Sequence, residues 1–96
     1  MVKHMIIWKL KENLENPEKR KEEIKIALEG LVGKIEGLVE MKIHIDCMDC
    51  SSGDLMMDST FESAEALAFY QKHPDHVAIA TGLVRPSVEQ RLSFDF

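Results

Sequence analysis

The first strand-like segment of the chain, residues 2–11, is apolar on both of its faces. Ile6 and Trp8 fall on one face of an extended chain, and Met5 and Ile7 fall on the other. A strand that is apolar on both sides belongs in a sheet that is covered on both sides. Any fold for this chain must therefore supply two covers for its first strand.

The rest of the chain shows the patterns of three more strands, two longer helices and a short one. Asn16-Pro17 is typical of a helix start, with Asn as the N-cap and Pro at the first helical position. Apolar residues then recur at helical spacing as far as Ile35, and Gly37 suits the end of this helix. The remaining predicted elements are strands over residues 38–46, 55–61 and 88–96, a helix over 64–72 that ends before Pro74, and a short helix over 77–83 closed by Gly82 and Pro86.

The segment 38–46 has the alternation of a half-buried strand. Val39, Met41, Ile43 and Ile45 fall on one face, and polar residues fall on the other. The next segment, residues 47–54, contains two Ser and a Gly in a row and is predicted to be the loop of a hairpin.

The predicted order of elements, β-α-β-β-α-β, is the split pattern of ferredoxin-like α+β domains. Residues 1–96 would form one such domain, with both helices on one face of a four-stranded antiparallel sheet. The other face then exposes large apolar side chains such as Phe94 and Phe96, and burying each is worth roughly 1.5–3 kcal/mol. Closed two-fold dimers are the commonest oligomers. We therefore predict a homodimer whose two sheets face each other across a shared, barrel-like interior that holds the functional site.

The charge distribution argues against several kinds of partner. The chain has 12 basic and 17 acidic side chains, and between residues 40 and 65 only Lys42 opposes the carboxylates. Nucleic-acid binding depends on Lys and Arg that neutralise phosphates, so we expect neither nucleic acid nor an anionic membrane as partner. No segment has the apolar length of a membrane span or the pattern of a signal peptide, which favours a cytoplasmic location.

Residues along essentially the whole chain carry a family resemblance. They are Val2-Lys3-His4-Met5-Ile6 and Lys9-Leu10-Lys11, then Phe61-Glu62-Ser63, Glu65, Tyr70, His73-Pro74-Asp75-His76, Val84-Arg85-Pro86 and Phe94-Asp95-Phe96. In these the chain resembles the stress-responsive dimeric α/β barrel (Dabb) family, whose most specific element is His-Pro-x-His with an upstream Tyr. The resemblance implies the same β-α-β-β-α-β fold and a homodimer formed by sheet-to-sheet packing.

The resemblance also implies roles for individual residues. In the plant polyketide cyclases of the family, the Tyr and the second His of the His-Pro-x-His element form an acid/base pair for an intramolecular aldol cyclisation. By motif position these roles would fall on Tyr70 and His76, with His4 as a polar residue lining the pocket. The cyclases also use an aromatic residue of the first helix, and the matching stretch around Leu28 is aliphatic here. This difference argues against carrying over the cyclase substrate.

The side chains themselves suit that chemistry. A His with an ordinary pKa of about 6.5 is largely neutral at pH 7 and can act as a general base. Proton abstraction beside a carbonyl also needs a donor for the developing enolate oxygen, a role open to Tyr70. Alternatively, Tyr70 and His76 bind backbone carbonyls that Pro74 leaves open. We predict His76, Tyr70 and His4 as catalytic residues. Trp8, Phe69 and His73 are the predicted ligand contacts, although His73 also has a structural alternative beside Pro74.

The segment Cys47-Met48-Asp49-Cys50 is a second group of residues that could carry chemistry. Two thiols separated by two residues suit a redox pair or half of a zinc site. The pair lies between two strands and no second Cys pair exists, so we expect a polar loop, with a labile disulfide as the leading alternative. A three-His metal site from His4, His73 and His76 lacks a helical i,i+4 pair, and we predict no metal and no cofactor.

Three functional hypotheses follow from the sequence. The first is a dimeric α/β barrel protein that binds a small, partly apolar molecule near His76, with acid/base chemistry as in the polyketide cyclase relatives. The second is a non-enzymatic, stress-associated structural dimer. The third is a redox or metal protein that uses Cys47 and Cys50. Sequence patterns leave open whether the protein is an enzyme.

Overall fold

The computed structural model describes residues 1–96 as one four-stranded antiparallel sheet with helices on one face. The elements are β1 (Val2–Leu10), α1 (Pro17–Glu29), β2 (Leu38–His44), β3 (Leu55–Phe61), α2 (Ala64–Lys72), α3 (Pro74–Ile79), a π-helical turn (Ala80–Val84), α4 (Arg85–Ser87) and β4 (Val88–Asp95). The strand order is β2-β3-β1-β4, which confirms the ferredoxin-like fold.

The two central strands, β1 and β3, contribute much of the core from the face that the helices cover. Ile6 and Trp8 of β1 are buried beside Met57 of β3, and Phe61 at the end of β3 is fully buried. The helices cover this inner face with a larger apolar set: Ile24 and Leu28 of α1 and Leu67 and Tyr70 of α2. The buried cluster lies on the helix side of the sheet.

Helix α1 begins where the sequence predicts and ends earlier. The Asn16 side chain accepts a hydrogen bond from the backbone N–H of Lys19, and Pro17 opens the helix. The prediction of a helix as far as Gly37 is wrong, because the helix ends at Glu29 and turns follow. Gly33 and Gly37 adopt positive φ values of 90° and 89°, which a right-handed helix cannot contain. Leu31 and Ile35 still reach the core from these turns.

Strand β2 contains a register shift that the alternation does not reveal. The pairing with β3 is irregular between Leu38 and Glu40, so Leu38 is buried in step with Met41 and Ile43. Val39, predicted on the buried face, is instead 42% exposed. A bulge moves the residues on either side of it to opposite faces, which explains the error.

The segment after Pro74 is more helical than predicted. Helix α3, the π-helical turn and α4 form one continuous helical stretch over residues 74–87, which passes through Gly82 without ending there. Pro86 lies at the start of α4, following the turn. A proline cannot donate the next helical hydrogen bond, and a widened turn accommodates it. The prediction of a separate helix over 77–83 closed by Gly82 and Pro86 is therefore wrong.

The face of the sheet opposite the helices, which we call the outer face, is rich in apolar side chains. Met5 pairs with Phe94 and Ile7 pairs with Leu92 across β1 and β4. Leu92 is 72% exposed and Phe94 is 71% exposed in the single chain. This exposure agrees with the reasoning that led to the homodimer, which stays a prediction. None of the helices combines the length and apolarity needed to cross a membrane.

Candidate functional site

A cavity of about 560 Å³ opens between the sheet and the helical stretch that precedes β4. This volume suits a small organic ligand. The lining combines apolar walls with two histidines, a tyrosine and several charged residues: His4, Ile6, Trp8, Leu28, Met57, Tyr70, Gln71, His76, Ala80, Val84, Arg85, Val88, Glu89, Gln90 and Arg91. The three predicted catalytic residues, His4, Tyr70 and His76, thus line one cavity together with Trp8.

The position of this cavity differs from the sequence-based expectation. His4, Ile6 and Trp8 point to the helix side of the sheet, whereas the residues expected at the homodimer contact lie on the outer face. The cavity therefore lies within a single chain and not between two facing sheets. The prediction that the site lies in an interior shared by two sheets is wrong. Successive residues of β1 point to opposite faces of the sheet, so the residues of the site and those of the outer face lie on different sides.

Tyr70 lies in the last turns of α2 with its side chain turned to the sheet. The residue is 1% exposed, and its ring packs between Phe61 and His76 with centroid separations of 4.9 and 4.1 Å. The hydroxyl is buried and has no hydrogen-bond partner. Burial raises the pKa of this hydroxyl well above its usual range, so it stays protonated and can donate.

His76 lies in α3, the helix that Pro74 starts. Burial lowers the pKa of its ring, a hydrogen bond with the Gln71 backbone opposes this, and the charges of His4, Arg85 and Arg91 lower the pKa further. Its Nδ1 atom is buried and has no hydrogen-bond partner. At neutral pH His76 is therefore an uncharged imidazole.

His4 is held by a residue from the other end of the chain. It is buried in β1, and its Nδ1 forms a short hydrogen bond with Oδ1 of Asp95 in β4, the residue directly opposite it in the ladder. An ionised carboxylate can only accept, so the proton of this bond belongs to Nδ1. The carboxylate of Asp95 thus holds a proton on Nδ1 and fixes the orientation of the His4 ring.

Two arginines of the lining were not among the predicted site residues. Arg91 lies opposite Trp8 in the β1–β4 ladder, and Arg85 begins α4. Neither guanidinium has a carboxylate within 4.0 Å, whereas Arg20, the third arginine, pairs with Glu23. The alternation of β4 places Arg91 and Asp95 on one face. Only the register between β1 and β4 brings that face to Trp8 and His4.

Two predicted ligand contacts lie outside the lining of this cavity. Phe69 points away from the sheet, is 52% exposed and packs edge-on against His73 with ring centroids 5.6 Å apart. The Nδ1 atom of His73 accepts a hydrogen bond of 3.1 Å from the backbone N–H of Asp75 and so caps α3. Tyr70 and Phe69 are neighbours in sequence, yet a helix turns adjacent side chains about 100° apart.

The two cysteines lie in the loop between β2 and β3. Cys47 and Cys50 are both exposed, and they form no disulfide. No group of three or more His, Cys, Asp or Glu side chains is arranged to hold a metal ion. This loop lies beside the outer face, on the opposite side of the sheet from His76.

Comparisons with known proteins agree with this architecture. The family model described as the stress-responsive A/B barrel domain (Dabb) matches residues 2–96. A dimeric protein of unknown function and ferredoxin-like fold from Bacteroides fragilis is 27% identical, with a TM-score of 0.88, over 99% of this chain and 93% of that one. No curated protein matches the chain in sequence.

Two plant structures are also similar to this chain. A protein from Arabidopsis thaliana is 32% identical, with a TM-score of 0.83, over 100% of this chain and 93% of that one. A hydroxynitrile lyase from Passiflora edulis is 18% identical with a TM-score of 0.81, over 99% of this chain and 90% of that one. At that identity the likeness to the lyase shows a shared fold.

Proposed function

The chain belongs to the stress-responsive A/B barrel (Dabb) family, and from that premise we propose that it binds a small, partly apolar carbonyl compound beside His76 and catalyses proton transfer at the carbon next to the carbonyl. The apolar walls that Ile6, Trp8 and Leu28 contribute suit the hydrocarbon part of such a molecule. The polar groups that would act on it are Tyr70, His76 and His4.

One observation carries this proposal. The hydroxyl of Tyr70 and the Nδ1 of His76 are both buried and both lack a hydrogen-bond partner, and the two residues belong to the lining of one cavity. Folded proteins rarely leave buried polar atoms unsatisfied, because each such atom costs about 1–3 kcal/mol. A ligand that offers a carbonyl oxygen to Tyr70 and an acidic C–H to His76 would satisfy both groups at once.

The proposed step balances as follows. The neutral His76 ring removes a proton from the carbon next to the carbonyl, and the electron pair of that C–H bond becomes the carbon–carbon double bond of an enolate. The former carbonyl pair moves to oxygen, where the Tyr70 hydroxyl donates a hydrogen bond to the developing negative charge. Return of the proton from His76 regenerates the ketone. The His4 ring, oriented by Asp95, offers its Nε2 as a further polar contact.

The experiment that tests the proposal follows hydrogen–deuterium exchange at the methyl group of acetophenone in D₂O by proton NMR. The wild-type protein should accelerate the exchange, and His76→Gln should lower that acceleration by about 100-fold, the usual range for loss of a general base. His44→Gln is the matched control, because His44 is exposed on β2 and lies outside this cavity. Exchange that is no faster with the wild-type protein than without it would contradict the proposal.

We also propose that two copies pair through their outer faces. The exposed apolar side chains of Ile7, Leu92, Phe94 and Phe96 support this pairing, since burying each in an interface removes it from water. The similar protein from Bacteroides fragilis is described as dimeric. Because the cavity lies on the helix side, such a pairing leaves the site of each copy complete within its own chain.

A further inference from the structure

The charge around the cavity differs from that of the chain as a whole. The protein has a net charge of −5, yet Arg85 and Arg91 both line this cavity without a carboxylate within 4.0 Å. Glu89 is the one carboxylate of the lining, and it pairs with neither. In a chain with 17 acidic side chains, two unpaired guanidinium groups beside one cavity form a local positive site.

These two arginines approach the cavity from different walls. Arg91 comes from the sheet, opposite Trp8, and Arg85 comes from the helical stretch that follows His76. Their charges act at His76, where they lower the pKa of the ring, so they lie close enough to affect a ligand beside it. Arginine is the side chain best suited to planar oxyanions, which it binds through paired N–H donors.

We propose that the ligand of this cavity carries an oxyanion group, a carboxylate or a phosphate, which Arg91 and Arg85 hold while the carbonyl of the same molecule lies at Tyr70. This inference rests on the proposed function and names its substrate class, a small ketone with an anionic group. The buried, unpartnered hydroxyl of Tyr70 marks the carbonyl end, and the two guanidinium groups mark the anionic end.

Three probes with the same aryl methyl ketone separate the possibilities: 4-acetylbenzoate, its uncharged methyl ester, and 4-acetylphenyl phosphate. Binding can be followed through the fluorescence of Trp8, the only tryptophan in the chain and part of the cavity lining. We expect at least one anion to bind about tenfold tighter than the ester at low ionic strength, and the preference to shrink as salt is added. The anion that binds more tightly than the ester identifies the recognised group as a carboxylate or a phosphate.

Arg91→Gln should bring the dissociation constant of the anion close to that of the ester, and Arg85→Gln should act in the same direction. Lys34→Gln is the matched control, because it removes one positive charge from an exposed residue outside the cavity. Equal binding of ester and anions, or an equal loss in Lys34→Gln, would overturn this inference alone. Failure of all three probes to bind would overturn the proposed function and the inference with it.

Discussion

Replacement of Tyr70 by phenylalanine tests the role of one buried hydroxyl in function and in stability separately. It removes one oxygen atom and leaves the ring that packs between Phe61 and His76. The lost hydroxyl is buried without a hydrogen-bond partner, so the folded chain loses no internal bond.

The expected change in stability follows from that absence. A buried polar group without a partner costs about 1–3 kcal/mol, so Tyr70→Phe should leave the free energy of unfolding unchanged or raise it by up to about 2 kcal/mol. Ser59→Ala is a matched contrast, because the Ser59 hydroxyl is also fully buried but donates a 2.6 Å hydrogen bond to the carbonyl oxygen of His4. That variant should lose about 1 kcal/mol.

The measurements are urea unfolding followed by circular dichroism and the acetophenone exchange assay. Tyr70→Phe should lower the protein-catalysed exchange by about 10–100-fold, because the enolate oxygen loses its donor. Loss of this one oxygen atom would then lower the catalysed exchange without lowering the free energy of unfolding.

A loss of more than about 1 kcal/mol of stability in Tyr70→Phe would refute this reasoning, since it would mean that the hydroxyl is bonded within the fold. Unchanged exchange in a stable Tyr70→Phe variant would equally remove the hydroxyl from the proposed mechanism. The first result would favour the structural alternative, in which the Tyr70 hydroxyl binds a backbone carbonyl.

Three further predictions concern pH, the His4 ring and assembly. The pKa of His76 in the folded chain lies below its ordinary value of 6.5, so between these two values the unfolded chain binds more protons than the folded chain. The free energy of unfolding should therefore fall as the pH drops from 7 through 6.5. Urea titrations at each pH should show a smaller fall for His76→Gln. Asp95→Asn should lower the exchange rate about tenfold, because the His4 ring loses the carboxylate that orients it. Nitrogen-15 NMR should show a changed Nδ1 signal of His4 in this variant, and an unchanged Nδ1 signal would contradict the assigned role of Asp95. Phe94→Glu should shift the sedimentation coefficient towards that of a monomer at micromolar concentration, because it places a charge in the proposed interface. Ile26→Glu, at an exposed position of α1, should leave the sedimentation coefficient unchanged. Sedimentation of the wild-type protein as a monomer would contradict the pairing.

Elements whose signals are local were predictable from the sequence. Strand β3 and helix α2 have the bounds that their patterns predict, and Asn16 caps α1 as expected. Errors occurred where a residue's conformation depends on contacts outside its own segment. Val39 is exposed because β2 pairs irregularly with β3, and the stretch through Gly82 is helical because it continues from α3 into α4.

The candidate site divides in the same way. Tyr70 and His76 are six residues apart on successive helices, and a short motif identifies them. The bond between His4 and Asp95 joins residues 91 apart, and Arg91 reaches Trp8 only through the register of two strands from opposite ends of the chain. No local pattern specifies such a register.

Local sequence patterns predicted the order of the strands and longer helices, and they predicted that one face of the sheet is apolar and not covered by helices. Both follow from the periodicity of neighbouring residues, which acts within a few positions of the chain. The folded structure was needed to show which polar groups meet, which of them remain unpaired, and that the cavity lies on the helix side of β1, away from the outer face. Those outcomes depend on how distant segments pair and pack, and a buried hydroxyl without a partner is visible only once every neighbour is in place.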